Sequence, residues 1–498
     1  MGRGVAGDER TEPDEGDVVS ILVIDIGTSG VRAAVVRPDT TVDAEHRREV
    51  LPVSPAPGLV EFDALVLAEA ALEVAGKALA QGGPVLGVGI ANQRASVVVW
   101  ERATGQPVGP GIGWQDLRTV GECLVLRGQG LRLAPNQSAT KIAHLLDRFD
   151  AGRNRDLCAG TVDSWIVWNL TEGRAHVTDV TNAAVTGLVT ADATAWDSSI
   201  LDTLRIPAAC LPRLVDSSGP VGEATALPGA PVICGLAGDQ QASLIGQGCV
   251  HPGPAKITFG TGGMLDLVTG PTRPVAAARS DGGTFPIVTW RRGDETMWGL
   301  EAIMLSAGTN VEWLRDDLGL VTTVAESHDV AQGCADTEGV VYVPALLGLG
   351  TPHWDYGARG TLLGVTRGSG RAHVVRAVLE GVAHRGADLV EAAEADAGRE
   401  IVSLRVDGGM SDNPTFVQAL ADATGRPVEV SPVIEATTLG AAFLAGLSIG
   451  TWGGWDDVAA TWRPRTAVDP GVPLDRERWQ RAVDRAREWF PELSGLDF

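Results

Sequence analysis

Apolar residues run unbroken from Ile21 to Ile24 and end in an aspartate, Asp25. After Ile26 comes a run of small turn-forming residues, Gly27-Thr28-Ser29-Gly30. Val31 to Val36 resumes the apolar pattern with only Arg32 breaking it, and its β-branched content predicts a second strand rather than a helix. The result is a β-hairpin with a phosphate-sized turn. Its backbone N–H groups and hydroxyls can hold a polyphosphate, and Asp25 is placed for the accompanying metal. Leu65 to Ala80 has a helical period. Val85 to Ala91 reads as a buried strand ending at Asn92-Gln93-Arg94, and Val97 to Trp100 as another strand, closed by a turn at Ala103-Thr104-Gly105. Strand and helix signals alternate up to Gly246, which predicts an α/β layer domain.

The breaker-rich stretch from Gly246 to Pro254 marks a domain boundary. Directly after it the opening pattern returns in weaker form. Ala255 to Phe259 leads into Gly260-Thr261-Gly262-Gly263, and Met264 to Val268 follows as a partner strand. Two duplicated halves around one nucleotide would show such an echo. Arg371 to about Ala395 is a long amphipathic helix. Leu404 to Asp407 is a strand running into Gly408-Gly409, and Pro414 opens a further helix at its first turn. Thr437 to Leu447 is a helix of small residues suited to close packing. The expected organisation is a disordered tail over 1–18, domains over 19–248 and 254–452, and an extension over 453–498 with helical character near Asp475–Trp489.

The 498 residues carry a net charge of −23, which repels nucleic acid and anionic membranes. No apolar run approaches the length of a membrane span, and the polar N-terminus lacks the apolar core of a signal peptide. A cytoplasmic protein is expected. The six cysteines form no C-x-x-C pair, so buried thiols are expected rather than disulfides or zinc. Neither a P-loop nor a dinucleotide fingerprint occurs.

A second chemistry-bearing segment is Gly235-Leu236-Ala237-Gly238-Asp239-Gln240-Gln241. Asp239 follows a buried run and can face a cleft, where a carboxylate suits general-base work on an alcohol or Mg2+ coordination. Taken alone, it is better read as a helix N-cap. Gln93 and Arg94 can bond hydroxyls, or lie in a surface loop. Trp114 offers an indole face to a polyol, or packs in the core. Gly409 lets a backbone approach an adenine or ribose, or merely turns the chain.

In order along the chain, the segments IDIGTSGVRA, GIANQRASVVVWERATG, GWQDLRT, GLAGDQQASLIGQG, ITFGTGG, VYVPALLGLGTPHWDYGARG and VDGGMSDNPTFVQALAD resemble the FGGY carbohydrate kinases, and among them the glycerol kinases most. The resemblance runs from about Ser20 to Trp452. It implies two actin-like (ribonuclease-H-like) domains with ATP and substrate in the cleft between them. It further implies that Thr28 and Ser29 touch phosphate, with Arg32 behind them, and that Asp25 serves Mg2+. Gly260, Thr261 and Gly262 form the second phosphate loop by the same token. Gly308, Gly409 and Asn413 stand on the nucleoside side, where Glu312 replaces a glutamine common in glycerol kinases. Asp239 is implied as the base, and Gln93, Arg94, Trp114, Asp239 and Gln240 as the substrate contacts, in a homo-oligomer (dimer or tetramer).

Two departures fall on the substrate side. Where glycerol kinases place a hydroxyl-binding glutamate after the Gln-Arg pair, this chain has Ala95. Where they place a substrate-contacting tyrosine, it has Asn136. Loss of a carboxylate and a phenol removes hydrogen bonds and opens space. The expectation is a kinase for a primary hydroxyl of a small polyol or sugar, with a larger polyol or a keto-sugar fitting the opened pocket. The glycine-rich, arginine-containing loop that binds fructose bisphosphate in some bacterial glycerol kinases is absent, so that regulation is not expected. A pentulose kinase of the xylulokinase type is the nearest alternative, opposed by Gln93, Arg94 and Gln240. A non-metabolic actin-like ATPase is opposed by Asp239 with the Gln93-Arg94-Trp114 cluster, and a silent sugar sensor by Asp25, Thr28, Thr261 and Asp239.

Overall fold

The hairpin forms where the pattern places it. In the computed structural model, which describes residues 20–275, 279–432 and 436–496, strand β1 (Ile21–Ile26) pairs antiparallel with β2 (Gly30–Val36), and Asp25 stands opposite Arg32. The tail expected over 1–18 lies outside the described residues. β3 (Val42–Glu49) extends the hairpin. On the other side of β1 lie β4 (Gly87–Asn92), then β6 (Val232–Gly238), both parallel to it. β5 (Ser218–Glu223) closes the edge, giving the order β3-β2-β1-β4-β6-β5. Helix α1 (Ala64–Gly82) covers one face and meets Leu22, Ile24 and Ile26. α2 (Asp239–Gly246) follows β6 directly.

The second half repeats this plan. β7 (Ala255–Phe259) pairs antiparallel with β8 (Gly263–Gly270). β9 (Phe285–Arg292), β10 (Glu295–Met304), β11 (Leu404–Asp407), β12 (Val428–Val430) and β13 (Thr466–Val468) complete a sheet in the order β9-β10-β8-β7-β11-β12-β13. The five central strands of each sheet share one order, third-second-first-fourth-fifth along their half, with the first three antiparallel and the last two parallel to the first. The echo of the hairpin in sequence is thus an echo of a whole sheet.

The faces of the two sheets differ. Ala255, Ile257 and Phe259 of β7 point into a core with α3 (Arg371–Ala397) and α4 (Pro414–Thr424). The period of two puts Lys256 and Thr258 on the opposite face. Asp266 on β8, Glu301 on β10 and Asp407 on β11 are buried polar residues between neighbours that point into that core, so they share the polar face. This face meets the N-terminal domain. Ser243 within α2 and Gln247 just beyond its end donate to Asp407 Oδ2 at 3.2 and 3.0 Å.

A fifth helix, α5 (Ala436–Ile449), leaves the C-terminal half and covers the remaining face of the first sheet, with Ile21, Val23, Val36 and Ala91. Burial on both faces explains why β1 reads as a continuous apolar run. α5 also lies against α2, and the contact demands small residues. A Cβ on Gly246 would sit 1.8 Å from the Ala436 carbonyl oxygen, and one on Gly440 1.8 Å from that of Ala242. Beyond Trp452, the helical character read near Asp475–Trp489 resolves into Arg476–Ala486, whose buried Trp479 donates its indole N–H to Asp388 of α3. A smaller sheet, Glu61–Phe62, Gly111–Ile112, Val97–Glu101 and Leu157–Thr161, flanks the first domain and carries the loop of Trp114.

Candidate active site

Three parallel strands end side by side. In the register of β1, β4 and β6, Ile26 lies opposite Asn92, and Asn92 opposite Gly238. The residues that follow, Gly27-Thr28-Ser29, Gln93-Arg94 and Asp239-Gln240, therefore share one crevice at the carboxyl ends of the strands, the usual ligand position in such sheets. Asp239 is the first residue of α2 and accepts from the Gln240 N–H. Its carboxylate is about a third exposed, toward the cleft. Burial raises its pKa, while Arg94, 3.5 Å away, opposes the rise. Asp25, at the end of β1, is pushed up to about 7 by burial, with Arg32 pulling down and Asp239 pushing up. Arg32 also lies 3.5 Å from Glu45.

The loop of Trp114 is tied to the first hairpin by a ring of hydrogen bonds. The Trp114 indole N–H donates to Thr28 Oγ1 at 3.2 Å, and the Trp114 backbone N–H to Ser96 Oγ at 3.0 Å. Ser96 donates to Gln93 Oε1 at 2.9 Å, and Gln93 Nε2 to the Gly27 carbonyl at 3.1 Å. Gln93 is 5 % exposed, and with one bond at each end of its amide it braces the hairpin against the loop of Trp114. Trp114 is 40 % exposed, unlike the core tryptophans, and keeps a face open. Asn136 has an exposed side chain, and Lys141 Nζ joins its carbonyl (3.3 Å) to that of Trp114 (3.0 Å). Ala95 is buried at φ +62°, a left-handed conformation, with its carbonyl accepting from Ser138.

Lys141 is fully buried, and burial pulls its pKa down to about 7 against the opposing pull of Asp116. The unfolded chain therefore holds a proton that the folded one lacks between pH about 7 and its ordinary 10.5. Stability is expected to rise with pH across that window, by several kcal/mol at about 1.4 kcal/mol per unit. Lys141→Met should remove this slope. Urea midpoints of both proteins at three pH values test it, and parallel slopes would refute it.

On the opposite domain the second turn is closed by the chain beyond β10. Gly308 N–H donates to the Gly260 carbonyl and Ala307 N–H to that of Thr261, both at 2.8 Å. A Cβ on Gly308 would meet Gly260 O at 2.7 Å, which accounts for the glycine. Gly262 packs equally close to the Met304 carbonyl. Thr261 is exposed, Gly409 is exposed with open space around it, and Glu312 is exposed on the first turn of Thr309–Asp316. The Asn413 side chain caps α4, accepting from Phe416 N–H and donating to Ser327 Oγ.

Between the two rims lies a charged group that motif reading missed. Arg94 reaches from the first domain to Glu301 on the second, Nη2 to Oε2 at 2.5 Å. Lys256 pairs with Asp266 at 2.8 Å, both fully buried, and donates to Gln240 Oε1 at 2.7 Å. Burial pushes Glu301 up to about 7 against the pull of Arg94, and raises Asp407 against the pull of Lys256. The signal available in sequence was a lone charge at alternate positions of an apolar strand, as in Ala255-Lys256-Ile257 and Leu265-Asp266-Leu267.

Two sheets of this shared topology, facing one another across a polar cleft, define the actin-like, ribonuclease-H-like fold. Comparison with known proteins agrees. Residues 20–246 match the N-terminal domain, and residues 255–449 the C-terminal domain, of the FGGY family of carbohydrate kinases. The chain belongs to that family and is an ATP-dependent phosphotransferase acting on an alcohol group. Similar relatives include a glycerol kinase of Trichlorobacter lovleyi, 43% identical over 94% of this chain and 99% of that one, and a glycerol kinase of Rhodospirillum centenum, 41% identical over 96% and 100%. Among solved structures, Plasmodium falciparum glycerol kinase with ADP superimposes with a TM-score of 0.88 at 28% identity, covering 94% of this chain and 98% of that one. Among the described residues no helix is long and apolar enough to cross a membrane.

Proposed function

We propose that the protein phosphorylates a primary hydroxyl of a small polyol or sugar, with Asp239 as the general base and an acceptor larger than glycerol. The observation that carries the reading is the strand-end crevice itself, where Asp239, Arg94 and the open face of Trp114 lie beside the Gly27-Thr28-Ser29 turn. Phosphoryl transfer depends mainly on positioning and charge stabilisation. The N–H groups of the two Gly/Thr turns hold the phosphate chain from either domain, and Gly409 leaves room for the nucleoside. Asp25 would hold Mg2+, which when bound neutralises phosphate charge. Asp239 orients the acceptor hydroxyl and takes its proton late. The ring through Gln93, Ser96 and Trp114 fixes the acceptor loop relative to the phosphate turn, so the two reactants meet in a set geometry. Closure of the polar cleft excludes water and suppresses hydrolysis of ATP.

Acceptor size follows from Ala95 and Asn136. Neither supplies the carboxylate or phenol that would grip a three-carbon polyol, and neither fills the volume those groups would take. Measurement of acceptor-stimulated ADP release across glycerol, tetritols, pentitols, pentuloses and hexuloses tests the reading. Stimulation is expected to be greatest with an acceptor of four or more carbons. If no acceptor raises ADP release above the water background, the kinase reading fails. The double substitution Ala95→Glu, Asn136→Tyr is expected to raise kcat/KM for glycerol by about tenfold or more, the scale of a restored buried hydrogen bond to a charged group. Unchanged glycerol turnover would remove these two positions as specificity determinants.

A further inference from the structure

We propose that Glu301 is a positioning residue that holds the guanidinium of Arg94 away from Asp239 when the two domains face each other as they do here. The inference rests on the kinase reading above and deepens its base step. Arg94 is almost enclosed, with a side chain 11 % exposed, and three acceptors compete for it. Glu301 Oε2 takes Nη2 at 2.5 Å, Gln241 Oε1 lies 3.4 Å from Nη1, and Asp239 Oδ1 lies 3.5 Å from Nε. The one short, charge-assisted bond goes to Glu301, and Asp239 is left with a loose contact.

Without Glu301 the enclosed guanidinium would have only Asp239 as an ionised partner among these three. A buried cation does not stay unpaired when a carboxylate is in reach. Paired closely through two N–H groups, Asp239 would have two of its lone-pair sites occupied and its carboxylate made less basic, a poorer acceptor for the substrate proton. Glu301 is free to compete because its neighbour across β8 and β10, Asp266, is held by Lys256. The remaining charges acting on Asp239 are Asp25 from β1 and Lys256 and Asp266 from the second sheet. None of these offers Arg94 a bond among the described contacts.

The arrangement crosses the cleft. Arg94 and Asp239 belong to the first domain and Glu301 to the second. Separation of the sheets would therefore return Arg94 to Asp239 and silence the base, whereas closure releases it. A kinase so built activates its hydroxyl only when the cleft is shut.

The test is Glu301→Gln, which keeps shape and removes charge. In its crystal structure the Arg94 guanidinium is expected within hydrogen-bond distance of both Asp239 oxygens. The value of kcat should fall by about 10–100-fold with nucleotide affinity unchanged, and in an Arg94→Met background the same substitution should cost nothing further. A guanidinium that stays off Asp239, or an equal kcat loss in both backgrounds, would overturn the proposal. If Glu301→Gln does not fold, Glu301→Asp, whose carboxylate is retracted by one methylene, is read by the same crystallographic measure. Wild-type protein inactive on every acceptor would defeat the kinase reading, and the position of Arg94 in the variant crystal would still decide this one.

Discussion

Replacement of Asp239 by Asn is expected to lower kcat for the acceptor by about 10²–10⁴-fold, the range of a lost general base. The substitution removes the proton-accepting oxygen and the charge facing Arg94 while keeping the shape of the side chain. The Asn side chain has the same volume, its oxygen can still accept from the Gln240 N–H, and α2 keeps its place because α5 is packed against it through Gly246 and Gly440. The turns at Gly27–Ser29 and Gly260–Gly262, proposed above to hold the phosphate chain, are untouched. Affinity for ADP, measured by calorimetry, should therefore stay within about twofold, so the loss falls on transition-state stabilisation alone. Retention of more than a tenth of the activity would remove Asp239 from the base role.

The second large effect is on stability. Lys256→Met is expected to reduce the unfolding free energy of the C-terminal half by about 3–5 kcal/mol, because it strands a buried carboxylate. Lys256 and Asp266 are both fully enclosed, and neither Asp266 oxygen has another hydrogen-bond donor among the described residues. Glu301 and Asp407 share the same face, so the lost cation also leaves three acidic groups facing one another. Exchange of both partners, Lys256→Met with Asp266→Leu, should recover most of the loss, since an apolar pair of similar size often replaces a buried ion pair at little cost. Urea denaturation of the two variants tests this. The double exchange being no more stable than the single one would show that the pair is not the source of the effect. The acceptor KM of both variants should rise, because Gln240 loses the donor to its Oε1.

The legible parts of this chain were those set by local pattern. The hairpin from Ile21 to Val36, α1, β11 and the Pro414 helix start all fall within a few residues of their sequence reading. Their signals are alternation, capping and turn chemistry, which need no distant partner. The roles of Gln93 and Asn413 were not legible in this way. Each is a polar residue at the end of a strand or the start of a helix, and only the folded chain shows Gly27 and Ser96 on one amide and Ser327 on the other. The charges of the second sheet lay between. Their period of two marks a face, but that face is completed by Arg94 and Gln240, far away in sequence, so the pattern alone could not say what the face was for.

The route of the chain has a consequence for how the protein is made. One face of the first sheet is closed by α5, the last helix to leave the ribosome before Trp452. Until that helix emerges, Ile21, Val23, Val36 and Ala91 lack the main part of their cover, although every strand of their sheet has long been synthesised. A nascent chain halted near Pro254 would hold a complete set of strands with an apolar face bare, a surface of the kind chaperones and aggregates both seize. The two halves repeat one plan, yet the first cannot mature ahead of the second.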